Sequence, residues 1–273
     1  MPDEAIQHRL DAAKALALEA GAVALHAFRR AGLRIDHKLD GTPVSEADLA
    51  CERALRDAVE RAFPDDAVLG EEFGAREGST GFRWIFDPID GTKTFLQGVP
   101  LWGTLVSVEQ HLADTWEPVA GAVHMPALGE IVWGAPGLGA FWHTPDAGTR
   151  PARVSRTERL ADAVIVTTGP EYIARGHGQA AWERLNDACR FTRGWSDCYG
   201  SVLVATGRAE AWFEPSVALW DVSAPRAVIH AAGGRCTDFN GAWSPEGWGT
   251  GGGSCLATNG LIHSQTLTII AGA

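Results

Sequence analysis

The chain has 273 residues, 45% hydrophobic and 21% charged, a globular rather than a disordered composition. Its formal net charge of −11 opposes nonspecific binding to nucleic acid, which needs Lys and Arg to displace counterions. Five cysteines (Cys51, Cys189, Cys198, Cys236 and Cys255) without a CxxC pair speak against a disulfide framework or a zinc ribbon.

Asp3, Glu4, His8 and Arg9 leave the start of the chain without the apolar core of a signal peptide. No run of about 18 apolar residues offers a membrane span. The expected compartment is a reducing cytoplasm. Ile6, Leu10, Ala13, Ala17, Gly21, Ala24 and Phe28 recur at helical spacing and predict an amphipathic helix. Ser45-Glu46-Ala47-Asp48 has the form of a capping box opening a second helix, which Pro64-Asp65-Asp66 stops. Val68-Leu69-Gly70 is an apolar, strand-like run that ends in Glu71-Glu72. Short β-like runs follow at 83–87, 102–109, 119–124, 130–134 and 139–143, and their short links favour an antiparallel meander. Residues 144–151, rich in Pro, Gly and Thr, form the best boundary, dividing the chain into 1–148 and 149–273. Beyond it strands (164–168, 209–213) alternate with helices (179–189, 201–206, and 222–232 before Gly233-Gly234), which predicts an α/β half. The Gly-rich stretch 248–254 lacks the GK[ST] ending of a P-loop and reads as a loop.

The most informative segment is Trp84-Ile85-Phe86-Asp87-Pro88-Ile89-Asp90-Gly91-Thr92. A hydrophobic strand delivers Asp87 to its end, and Pro88 blocks continuation of the ladder. Two carboxylates three residues apart on a bend converge on hard cations, which prefer oxygen ligands. The N–H groups of Gly91 and Thr92 face an anion at the same point. Each acid also has a structural reading: Asp87 and Asp90 as turn residues, Glu71 as a loop charge, Asp221 and Asp48 as helix caps. Their joint pattern carries the functional one. The nine histidines show no HExxH or HxH spacing, which disfavours a zinc hydrolase.

The motif DPIDGT, the GEE ahead of it and the WD opening a late helix together resemble the inositol monophosphatase family, from Lys38 to Asn259. The resemblance implies a layered αβαβα sandwich, an α/β (α+β) fold with an antiparallel-sheet N-terminal half and an α/β C-terminal half. It implies a metal-dependent phosphomonoesterase, a homodimer, and Mg²⁺ as cofactor, two or three ions per site, with Mn²⁺ as a substitute. Carried over by residue, Glu71, Asp87, Asp90, Asp221 and the Ile89 carbonyl ligate metal, and Asp48 with Thr92 orients the water. Gly91 and Thr92 hold the phosphate.

After DPIDGT the chain reads Lys93-Thr94-Phe95-Leu96-Gln97-Gly98-Val99-Pro100-Leu101-Trp102, and later Arg193-Gly194-Trp195-Ser196-Asp197-Cys198-Tyr199-Gly200. Both are similar to the histidinol-phosphate phosphatase branch, although Ser196 stands where that branch often has Gly. Histidinol phosphate carries a cationic amine, which suits an anionic pocket; Asp197 and Glu214 are the acids expected against it, with Arg193 and Asn259 as further contacts. The alternatives are an inositol 1-phosphate or broad sugar-phosphate phosphatase, a 3′-phosphoadenosine 5′-phosphate phosphatase, and a non-catalytic metal-binding relative.

Overall fold

The computed structural model describes residues 4–272 apart from 39, 40, 177, 196, 244, 246, 247 and 249–251. Ser196 and part of the Gly-rich stretch fall outside the described residues. The N-terminal half runs α1 (Glu4–Ala27), β1 (Ile35–His37), β2 (Pro43–Ser45), α2 (Glu46–Ala62), β3 (Ala67–Gly70), β4 (Gly74–Arg76), β5 (Phe82–Asp90), α3 (Thr92–Leu96), β6 (Gly103–Leu112), β7 (Thr115–Met125), β8 (Glu130–Ala135), β9 (Gly139–Thr144) and β10 (Gly148–Ala152). The remainder runs β11 (Val164–Thr167), α4 (Pro170–Arg175), α5 (Gln179–Ala188), β12 (Phe191–Gly194), α6 (Tyr199–Ala205), β13 (Ala211–Val217), α7 (Leu219–Ala231), β14 (Arg235–Thr237), β15 (Gly253–Thr258) and α8 (His263–Ala271). Among the described residues, no helix is long and apolar enough to cross a membrane.

Two sheets set the architecture. The larger has the order β10-β9-β8-β7-β6-β5-β3-β4, with β5 to β10 forming the antiparallel meander and β3 lying parallel to β5. The smaller has the order β12-β11-β13-β15-β14, parallel on one side of β13 and antiparallel on the other. Period-two alternation sends each strand's side chains to two different cores. Trp84, Phe86, Val106, Val108, Ile131 and Trp133 pack under α1 and α2. Leu105, Val123, Val132, Val166, Trp212 and Ala257 face the layer between the sheets, which α6 and α7 fill. Ile165, Phe213 and Leu256 meet α5 and α8 on the far side. The result is a layered αβαβα sandwich, as the resemblance implied.

Local chemistry explains where elements begin. Ser45 caps α2: its hydroxyl oxygen accepts from the Ala47 N–H at 3.2 Å, while the Asp48 carboxylate accepts from the Ser45 N–H at 2.8 Å. One expectation is corrected. Strand β5 does not stop at Asp87 but continues to Asp90 through a β-bulge, so Pro88 sits where the ladder is already interrupted. The stretch expected as the boundary, residues 144–151, carries a hairpin: Gly148 turns the chain at φ +64° and β10 pairs with β9. Pro151 is tolerated there because β10 is an edge strand.

Helix α7 lies close against the larger sheet, and glycines permit the approach. A Cβ on Gly121 of β7 would fall 2.6 Å from the Ala224 carbonyl oxygen and 3.0 Å from the Ala224 Cα, both helix backbone. The same interface carries a buried polar anchor, in which Ser223 donates to Glu109 at 2.7 Å while Arg83 pairs with that carboxylate from β5. Gly121→Ala should therefore overpack this layer and destabilise the protein by about 1–3 kcal/mol, read as a lower urea midpoint. An unchanged midpoint would mean that the helix sits less tightly than described.

Candidate active site

Backbone irregularities bring the acids of the DPIDGT segment together. Across the bulge, Asp87 is opposite Leu105 and Asp90 opposite Gly103, so three steps along β5 match two along β6. The Pro88 carbonyl between them accepts from the Thr104 hydroxyl at 2.9 Å, and the Cys51 thiol of α2 lies 3.4 Å from it. Gly91 then turns the chain at φ +86°, a conformation that a side chain would strain, and leads into α3. Asp221 comes from the first turn of α7, where one oxygen accepts from the Ala218 N–H at 2.7 Å. Asp87, Asp90 and Asp221 each present an oxygen within 4.8 Å of the others.

Burial is the largest influence on these groups and raises all their pKa values. It pushes Asp87 and Asp90 well above the usual carboxylate range, reinforced by Glu71 and Asp90 around Asp87 and by Asp197 and Asp221 around Asp90. Asp90 is partly offset by the Cys198 N–H, which donates to it. Glu71 and Asp221 are each pushed up to about 7, again chiefly by burial. Among the described residues, the Oδ1 of Asp87 is buried with no hydrogen-bond partner. An all-oxygen donor set with an unpartnered buried carboxylate oxygen fits a hard divalent cation.

Of the remaining expected residues, Glu71, Ile89, Gly91, Thr92, Asp197 and Glu214 line an open cleft around this cluster, with about 810 Å³ of empty space counting its mouth. Glu71 stands in the cleft wall at the end of β3, and its carboxylate accepts from the Lys38 ammonium at 2.5 Å. The Thr92 hydroxyl is 3.1 Å from the Ile89 carbonyl and 3.4 Å from the Asp48 carboxylate, whose other oxygen is held by Ser45. Asp197 does not cap α6; its side chain accepts from the Thr94 hydroxyl at 3.1 Å and reaches over Gly91, where a Cβ would lie 2.7 Å from its Oδ2. Glu214 on β13 accepts from the Thr168 N–H at 2.5 Å, and burial pushes its pKa up to about 8.

Two expected contacts stand apart. Arg193 is exposed on β12, its guanidinium beside the Phe191 ring and donating to the Thr192 carbonyl at 2.7 Å. Asn259 is 2% exposed, and its amide is engaged by Ser155, Thr157, Leu261 and Ile262. Neither lines the cleft, contrary to expectation. Conversely, Tyr172 and Arg175 line it from α4, and Lys93 lines it from α3, bridging to Glu171 of α4 at 2.6 Å. The six residues of α4 are too few for a periodic signal, so nothing in the sequence marks them.

Comparison with known proteins shows the family and the fold. The model of the inositol monophosphatase family matches residues 5–271. A histidinol-phosphatase from Mycobacterium tuberculosis is 39% identical over 88% of this chain and 89% of its own length. A histidinol-phosphatase from Chlorobaculum parvum is 37% identical over 86% and 87%, respectively. Among solved structures, an IMPase from Thermotoga maritima superposes with a TM-score of 0.81 at 25% identity, covering 97% of both chains.

The state of Glu214 has a measurable consequence. Its folded pKa of about 8 exceeds the 4.5 of a free glutamate. The stability it contributes is therefore complete below about pH 4.5 and is lost as the pH rises through about 8. Without divalent cations the melting temperature should fall between about pH 5 and about pH 9, and Glu214→Gln should flatten part of that slope. The same slope in the variant would show that Glu214 is ionised throughout.

Proposed function

This chain belongs to the inositol monophosphatase family and is a phosphoric monoester hydrolase, and on that premise we propose that it is a Mg²⁺-dependent histidinol-phosphate phosphatase. It would split L-histidinol phosphate into L-histidinol and phosphate. The observation that carries the reading is the pair of acids, Asp197 and Glu214, on the cleft wall beside the three clustered aspartates. Such a wall complements an ammonium group rather than a neutral polyol. The names of the two relatives point the same way.

In this reading Asp87, Asp90, Asp221, Glu71 and the Ile89 carbonyl hold the cations, as the family uses divalent metals. Bound there, they offset the charge of the phosphate, acidify water and stabilise the departing alkoxide. The Ile89 carbonyl, 3.1 Å from the Thr92 hydroxyl, would be free for a cation once that hydroxyl turns to Asp48. Thr92 directs its proton to Asp48, which leaves its oxygen to accept a hydrogen bond from the attacking water and hold it in line with the ester bond. Asp48 is suited to that task because Ser45 fixes one oxygen and the other is free for Thr92. The N–H groups of Gly91 and Thr92 face the phosphate at the turn into α3. Glu214 and Asp197 receive the amine; its charge favours the ionised form of Glu214, which burial alone opposes.

Two measurements test these roles. Thr92→Ala should lower kcat by about 10²–10⁴-fold with little change in KM, since an orienting hydroxyl acts in the transition state; a change confined to KM would make Thr92 a binding residue. Phosphate release from histidinol phosphate, inositol 1-phosphate, fructose 1,6-bisphosphate and 3′-phosphoadenosine 5′-phosphate should favour the first. Glu214→Gln should then cost histidinol phosphate about ten- to a hundredfold in kcat/KM, from a charge-assisted bond of about 1.5–3 kcal/mol, and leave the esters that carry no cationic amine nearly unchanged. A wild-type preference for inositol 1-phosphate would overturn the substrate while leaving the hydrolase.

A further inference from the structure

Glu52 takes no part in the chemistry above, yet it is a carboxylate with 0% exposure placed beside the site. It lies four residues after Asp48, so the two share one face of α2. Its Oε2 accepts from the Glu72 N–H at 2.7 Å, and its Oε1 from the Phe73 N–H at 3.2 Å and the Arg56 Nε at 2.7 Å. The two backbone donors belong to the turn immediately after Glu71. Gly70, immediately before Glu71, makes room for the carboxylate: a Cβ there would lie 2.0 Å from Glu52 Oε1 and 2.4 Å from its Cδ. The Glu71 N–H is itself bonded to the Phe86 carbonyl of β5 at 3.2 Å. The backbone carrying Glu71 is thus gripped by β5 on one side and by α2 on the other.

We infer that Glu52 is a positioning residue that fixes Glu71 relative to Asp48 and so sets the cation affinity of the site. The inference rests on Glu71 being a cation ligand. A group that orients a ligand differs from one that only supports the fold: removing it weakens metal binding by about 10–100-fold, whereas a purely structural group changes stability and leaves that affinity alone.

The test uses the full chain and Mg²⁺ or Mn²⁺ alone, with binding followed calorimetrically and folding by circular dichroism and melting temperature. Glu52→Gln keeps the size but replaces one acceptor oxygen with an amide facing backbone N–H groups. Gly70→Ala keeps the carboxylate and displaces it. Both should remain folded and raise the cation dissociation constant about 10–100-fold; Glu71→Gln serves as the reference. If Glu71→Gln weakens binding while Glu52→Gln and Gly70→Ala do not, the inference fails. If Glu71→Gln has no effect, the assignment of Glu71 as a ligand fails instead. Loss of folding in both Glu52→Gln and Gly70→Ala would also overturn it, assigning Glu52 to the fold alone.

Discussion

Like charges resist being buried together, and the arrangement of this protein depends on that resistance. Two unit charges about 5 Å apart repel by about 3 kcal/mol at an effective dielectric constant near 20. Asp87, Asp90 and Asp221 approach one another to within 4.8 Å, with Glu71 near enough to raise Asp87. Protons or cations must therefore accompany the cluster. The net charge of −11 has the same consequence: an acidic protein that receives an anionic ester needs positive charge supplied at the site.

A frame that holds such groups against their repulsion has to be rigid, and the surroundings supply this. Each acid sits where regular backbone gives way: Asp87 and Asp90 across a bulge, Asp221 in the first turn of a helix, Glu71 just past a strand end. Asp90 and Asp221 are steadied by backbone N–H groups, which partly offset the cost of burial. Helix α2 touches three parts of the site at once: Asp48 meets Thr92, Cys51 meets the Pro88 carbonyl and Glu52 grips the turn after Glu71. Helix α7 delivers Asp221 from between the two sheets, so both halves of the chain contribute to one cleft.

Much of this was legible before the structure, for identifiable reasons. The strands of the meander read as short β-like runs parted by Gly, Pro and charged residues, and α1 carries an apolar stripe at helical spacing. The capping box at Ser45 is a local motif whose partners lie three residues apart. The convergence of Asp87, Asp90 and Asp221 was expected because DPIDGT, GEE and WD occur together. What periodicity does not encode was missed. Pro88 reads as a strand breaker unless the bulge is known, and β10 is hidden within the boundary stretch because Gly148 and Pro151 are turn formers elsewhere. Tyr172 and Arg175 reach the cleft only through the packing of a one-and-a-half-turn helix. Asn259 resembled a substrate contact by position, but its amide is consumed by four chain partners. Glu52 looks like any helical glutamate until Gly70 is seen to leave space for it.

The two sheets also end in a particular way. The larger sheet finishes in β10, five residues long and carrying Pro151, and in β4, three residues long. The smaller finishes in β12 and β14, of four and three residues. An edge strand exposes a row of unpaired N–H and C=O groups that another chain can extend, and the hazard grows with its length and regularity. Short margins, one of them interrupted by a residue with no N–H to donate, give an incoming strand few bonds to make. A chain rich in β-structure is thereby protected from growth into ribbons.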